Sequence, residues 1–124
     1  MDDISKRAVA FEYEKMRWGK LGTLISPKAT VSQDARIGEG CVILHDAFVG
    51  PWVKLDENVL IATRAIVEHN SIVGSHSVVL TGAIVNGGCG IGSKCIIGSG
   101  AIILQNVIIC DNVTVGAGTV VIDS

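Results

Sequence analysis

The sequence has no excess of either charge. Ten Lys and Arg face 12 Asp and Glu, a formal net charge of −2. That balance removes the electrostatic case for a nucleic-acid or anionic-membrane partner. The start, MDDISKR, lacks the apolar region of a signal peptide. From Asn70 to Ser93 there is no Asp, Glu, Lys or Arg, and mean hydropathy is +0.50. Asn, Ser, Gly and His nevertheless break that stretch every few residues, so it fails as a membrane-spanning helix. The four cysteines, Cys41, Cys89, Cys95 and Cys110, form no CxxC pair. They read as reduced structural thiols rather than metal or redox groups, which points to the cytoplasm. At 124 residues the chain is one domain at most.

What is present is a six-residue beat. Counting in sixes from Ile25 through Ile43, Ile61, Val79 and Ile97 to Val121, every position is Ile, Val or Leu. A mostly small residue stands two places before each, as in Cys41, Ala47, Ala65, Ser71, Ser77, Ala83 and Cys89. The period matches neither an amphipathic helix nor a two-residue alternation. It predicts a parallel β-helix of hexapeptide repeats, three hexads to a triangular coil of about eighteen residues. The aliphatic heads fill the prism from its flat sides, and the small residues fit near the corners. Gly38, Gly40, Asn58, Gly74, Gly92 and Asn112 are expected to turn the corners by adopting φ > 0. At about 4.8 Å per coil, between five and six coils make a column roughly 25–30 Å tall.

Residues 1–18 are expected to form a helix. Asp3 can cap it, Ile4, Ala8, Phe11 and Trp18 recur at helical spacing, and Gly19 can end it. An open β-helix end exposes backbone donors and acceptors, so this segment, 1–24 with its lead-in, is expected to cover it. Residues 25–124 form the β-helix. Two sides of the prism also carry apolar residues outside: Val42, Leu44, Leu60, Val78, Leu80 and Ile96 on one, Phe48, Ile66, Ile84, Ile102 and Leu104 on the next. Patches of that size predict a partner, and three prisms meeting around an axis would cover them. The corner with His45, Thr63, Thr81 and Ser99 would face that axis. The corners of His69 and His76 would line the crevice between subunits.

The three histidines are the candidate bases at neutral pH. His45 reads as structural at its axial corner. His69 sits between Glu68 and Asn70, two groups able to orient an imidazole. Eighteen residues on, one coil higher, stand Gly87 and Gly88, where a backbone N–H can approach a reacting carbonyl unobstructed. The alternative is that His69 is simply a surface polar residue.

Residues 25–121 resemble the left-handed parallel β-helix hexapeptide acyltransferases. Ile66-Val67-Glu68-His69-Asn70-Ser71-Ile72-Val73-Gly74, followed by Gly82-Ala83-Ile84-Val85-Asn86-Gly87-Gly88, resembles the sialic-acid O-acetyltransferase and nucleotide-amino-sugar N-acetyltransferase family. The resemblance implies direct transfer from acetyl-CoA to an amine or hydroxyl of a sugar or nucleotide-sugar, without metal. His69 would be the general base, and the Gly87 N–H would hold the acyl carbonyl. The family has an acidic residue after its histidine, whose place here is Asn70; Glu68 is the nearest charged substitute. A second histidine of some members falls at Val78, with His76 close by. CoA would lie beside Gly88, His76, Gly98 and Gly100. Members usually begin with a nucleotide-binding α/β domain, and residues 18–27 look like the end of one. They also tend to finish with a Gly-x-Pro-Ala segment, absent here, so the chain reads as a short form, a truncation or a relic.

Two other readings stay open at this point. One is a non-catalytic trimeric scaffold or degenerate relative, consistent with Asn70 and Val78. The other is a metal enzyme like the γ-class carbonic anhydrases, which share the fold; the spacing of His45, His69 and His76 does not match its ligand pattern.

Overall fold

The computed structural model describes residues 3–124. One helix, α1 (Asp3–Trp18), precedes seventeen two-residue strands, from β1 (Leu24–Ile25) to β17 (Val120–Val121). The first two positions of the expected helix lie outside the described residues. Every strand ends on one of the aliphatic heads. All pairing is parallel and joins residues eighteen apart, such as Val78↔Ile96 and Val85↔Ile103. The strands form three sheets, here A (the strands of Ile43, Ile61 and Val79), B (those of Val49, Val67 and Val85) and C (those of Leu55, Val73 and Ile91). The result is the left-handed parallel β-helix that the repeat predicts.

The core is one column. Ile43, Val49, Leu55, Ile61, Val67, Val73, Val79 and Val85 are sealed, with the small inward residues between them. Polar members of the small set are satisfied by backbone: Ser71 Oγ donates to the Asn86 carbonyl at 2.7 Å and Ser77 Oγ to that of Gly92 at 2.6 Å. Cys41, Cys89 and Cys95 are free, buried thiols that use the same geometry, donating to carbonyls of the next coil. Burial pushes all three thiols up, which keeps them protonated. Cys110 is exposed.

From Gly40 upward, each corner is a two-residue turn whose second residue is left-handed. Gly40, Asn58 and Asn112 have φ near +60 to +73°, as expected. Gly38, Gly74 and Gly92 do not; their role is different. They follow the heads of sheet C, and a Cβ on Gly74 would lie 2.6 Å from the Gly92 carbonyl carbon. Close stacking, not a corner, requires glycine there.

The helix does not close the open end. Leu24 and Ile25 remain exposed in the first coil. Instead α1 runs up the corner between sheets C and A. Phe11 packs where a Cβ of Gly40 would stand and meets the His76 ring edge-on at 5.6 Å. Arg7 donates to the Asn58 carbonyl at 3.1 Å, and Lys15 bridges Glu39 and Glu57 at 2.9 and 2.8 Å. The physical reason is that Ile4, Ala8 and Phe11 make one apolar stripe about 10 Å long, enough to lie across two to three coils of a side rather than over an end. Trp18 is exposed rather than part of it, with its indole N–H on Glu14 at 2.7 Å. Gly19, φ +88°, ends the helix by donating to the Lys15 carbonyl at 2.7 Å. The first turn of α1 also faces Leu60, Val78, Leu80 and Ile96, so part of sheet A's outer face is covered within the chain.

Candidate active site

His69 and Asn70 form the corner after β8 (Ile66–Val67), and Gly87 and Gly88 form the corner after β11 (Ile84–Val85) directly above it. The two corners are tied by backbone, since the Gly88 N–H donates to the His69 carbonyl at 3.0 Å. Asn70 takes φ 63°, a conformation that Asn tolerates better than most side chains.

That conformation folds the Asn70 carboxamide back on its neighbour. His69 Nδ1 stands 3.1 Å from Asn70 Oδ1. The bond is satisfied when Nδ1–H donates to the oxygen, which leaves the lone pair on Nε2. The ring then lies against bare backbone: a Cβ on Gly87 would sit 2.6 Å from Nε2. Gly87 is therefore the only residue type that leaves room for the imidazole in this position. Its own N–H makes no hydrogen bond among the described residues. An accepting nitrogen on an exposed ring thus lies against a buried glycine whose N–H has no hydrogen-bond partner among the described residues.

The remaining sequence-predicted residues are placed as follows. Glu68 projects from sheet B, half-buried, and no hydrogen bond joins its carboxylate to the imidazole among the described residues. His76 lies on the corner between sheets C and A. There Asn58 Nδ2 donates to its Nδ1 at 3.0 Å, Glu12 stands 3.8 Å from its Nε2, and burial lowers its pKa. Within one chain, then, His76 is held by α1. Gly98 follows a head of sheet A, and Gly100 turns the corner between sheets A and B with φ +70° and nothing against it. One chain brings together His69, Asn70, Gly87 and Gly88; it does not bring His76, Gly98 or Gly100 to them. His45, hydrogen-bonded to Ser26 Oγ, occupies the third corner, so no two of the three imidazoles converge.

One polar group was missed from the sequence. Asn106, a coil above Gly88, leans its carboxamide oxygen into the space a Gly88 Cβ would fill. Extending the eighteen-residue step one coil further would have found it.

No curated protein matches the sequence. Solved structures do. The acetyltransferase domain of PglB from Neisseria gonorrhoeae is 33% identical with a TM-score of 0.96, covering 98% of this chain and 60% of that one. The same domain in complex with acetyl coenzyme A superposes with a TM-score of 0.95 at 33% identity, covering 98% and 59%. A variant of GDP-perosamine N-acetyl transferase from Caulobacter crescentus, in complex with CoA and GDP-perosamine, gives 0.96 at 25% identity, covering 98% and 58%. These neighbours bear out the resemblance to the hexapeptide-repeat acetyltransferases. The chain spans about 60% of the length of the neighbours it matches. Among the described residues no helix is long and apolar enough to cross a membrane. Residues 24–124 match the model of the GMPPB C-terminal domain, and this chain belongs to that family.

Proposed function

We propose that the protein is an acyl-CoA-dependent acyltransferase, with acetyl-CoA as donor and a sugar or nucleotide-sugar as acceptor. The observation that carries the reading is the His69 Nε2 lone pair aimed across the bare Gly87 turn. His69 takes a proton from the acceptor as it attacks the thioester carbonyl. The Gly87 N–H receives the developing oxyanion. Asn70 fixes the tautomer without adding charge, and Glu68 supplies a negative field from sheet B. Transfer is direct, with no covalent acyl-enzyme and no metal. The acetyl-CoA complex of the PglB domain and the CoA and GDP-perosamine complex of the Caulobacter enzyme support both substrate classes.

The working unit is a homotrimer in the cytoplasm. Phe48, Ile66, Ile84 and Ile102 form an outer apolar face on sheet B that a neighbouring prism would cover. His69 and Asn70 are exposed in one chain, which suits a notch backed by Gly87 and Gly88 of the same chain and closed by a second wall from the next prism. The test is turnover of acetyl-CoA with nucleotide-linked amino sugars. His69→Ala is expected to lower kcat by about 10²–10⁴-fold. Unchanged turnover rejects His69 as base. A second reading, a non-catalytic scaffold, draws on the uncharged Asn70; calorimetric titration with acetyl-CoA separates the two, because a scaffold gives no saturable heat.

A further inference from the structure

Two unmatched features stand on the two outer corners of the prism. The first is a knob. Trp52 turns the corner between β5 (Phe48–Val49) and β6 (Lys54–Leu55). Its φ is 61°, where most of the other left-handed corners use Gly or Asn, and the residue is 63% exposed. A bulky residue held in that conformation is an outlier that asks for a function. Among the described residues no ring, cation or hydrogen-bonding group engages its indole. Its corner lies directly beneath that of His69, since the Asn70 N–H donates to the Pro51 carbonyl at 3.0 Å.

The second is a groove. Besides the stripe that docks it, α1 carries Val9, Tyr13 and Met16 outward at helical spacing, all exposed. With Glu12, and with His76 and Lys94 from the corner between sheets C and A, they line a groove of about 410 Å³. Knob and groove share a height. Lys15 bridges Glu39 and Glu57, so the end of α1 that carries Tyr13 and Met16 lies level with the coils of those two residues. Trp52 precedes Glu57 by less than a third of a coil, so its corner stands within about 2 Å of that level. Sheet C lies between the two corners of one chain, so knob and groove can meet only between copies.

We infer that Trp52 of one protomer docks in the α1 groove of the next, an interlock that closes the crevice beneath His69. The inference rests on the trimer proposed above. In that trimer sheet B of one prism faces sheet A of its neighbour, which brings the corner of Trp52 beside the neighbour's α1. The lining suits an indole. The Tyr13 ring and the Met16 thioether are favoured neighbours of an aromatic face. Lys94 makes no salt bridge among the described residues, which leaves its ammonium free to stand over the ring. The Glu12 carboxylate can accept the indole N–H, which needs a partner once buried.

The test reads tryptophan emission, its quenching by acrylamide and the mass by light scattering on the full chain. Trp18→Phe, at an exposed position, leaves Trp52 as the one tryptophan. The trimer is expected to show blue-shifted emission and severalfold weaker quenching than the monomer obtained by adding Ile84→Glu. Met16→Glu, on a side chain that touches no core, should return the indole to water and raise the concentration at which the trimer half-dissociates by roughly tenfold or more. Trp52→Asn, which suits the left-handed corner, should weaken the trimer to the same degree, and the two together no more than either alone. A trimer whose indole is quenched as fully as the monomer's, emission that Met16→Glu leaves unmoved, or losses that simply add overturn the docking while leaving the trimer standing. A wild type that stays monomeric at micromolar concentration overturns both.

Discussion

The site depends on what one residue lacks. The imidazole of His69 occupies volume that any side chain at position 87 would take, because a Cβ there would stand 2.6 Å from Nε2. Gly87 does not have a positive φ, so alanine fits its backbone without strain. Gly87→Ala is therefore expected to leave thermal unfolding within a few degrees of wild type. Turnover should fall about 10²-fold or more, because the ring must rotate away from the acceptor and the N–H is shielded. A kinetically silent Gly87→Ala would show that the ring does not work from the position seen here. That Gly87 stacks directly over His69 was legible in the sequence from the eighteen-residue step. That the ring turns upward onto it was not, since this depends on the left-handed Asn70 and the bond from Nδ1.

At the scale of an element, α1 is held by a mixed patch with a titratable group at its centre. His76 faces Glu12 and Arg7 from the helix and Glu57 and Lys94 from neighbouring corners. Burial lowers its pKa, Lys94 and Arg7 push the same way, and the two carboxylates oppose them. The docked state thus prefers the neutral ring. Above about pH 6.5, the ordinary histidine value, docked and undocked states hold the same protons and the helix is fully secured. As pH falls below it, the undocked state takes up a proton that the docked state resists, and docking weakens. Hydrogen exchange corrected for intrinsic rates should show protection around Phe11 declining from pH 7.5 to 5.5. His76→Gln should flatten that decline. Protection that is constant or rises on acidification would contradict the placement. The sequence predicted a helix, its apolar stripe and its glycine stop. It did not predict its seat, because the same stripe could cover an end or a side. The choice fell to Gly40, whose missing side chain makes room for Phe11.

At the scale of the whole molecule, one chain leaves a long apolar face in water. Ile84 lies at the middle of sheet B's outer row, between Ile66 and Ile102 in register. Ile84→Glu points a charge outward from a prism whose core it does not touch. The expected outcome is an intact β-helix by circular dichroism whose mass by light scattering drops from three chains to one, with acetyl transfer lost in parallel. A wild type that is already monomeric at micromolar concentration would remove the trimer and the crevice with it. The helix bears on this scale too. By facing Leu60, Val78, Leu80 and Ile96 it narrows the area that sheet A can offer a neighbour, so sheet B carries the larger share.

The sequence alone determined the coil. A six-residue aliphatic beat can bury itself continuously only by winding in thirds, and that geometry fixes which residues stack eighteen apart. From it followed the three sheets, the buried thiols, and the pairing of His69 with Gly87. The tertiary structure decided what periodicity does not encode: which way a side chain leans once its corner is turned. It set the Nδ1 bond to Asn70, brought Asn106 down onto Gly88, drew His76 under α1, and gave Gly74 to close stacking rather than to a turn. Those outcomes depend on torsion angles and free volume at single residues, and a repeat specifies position without specifying either.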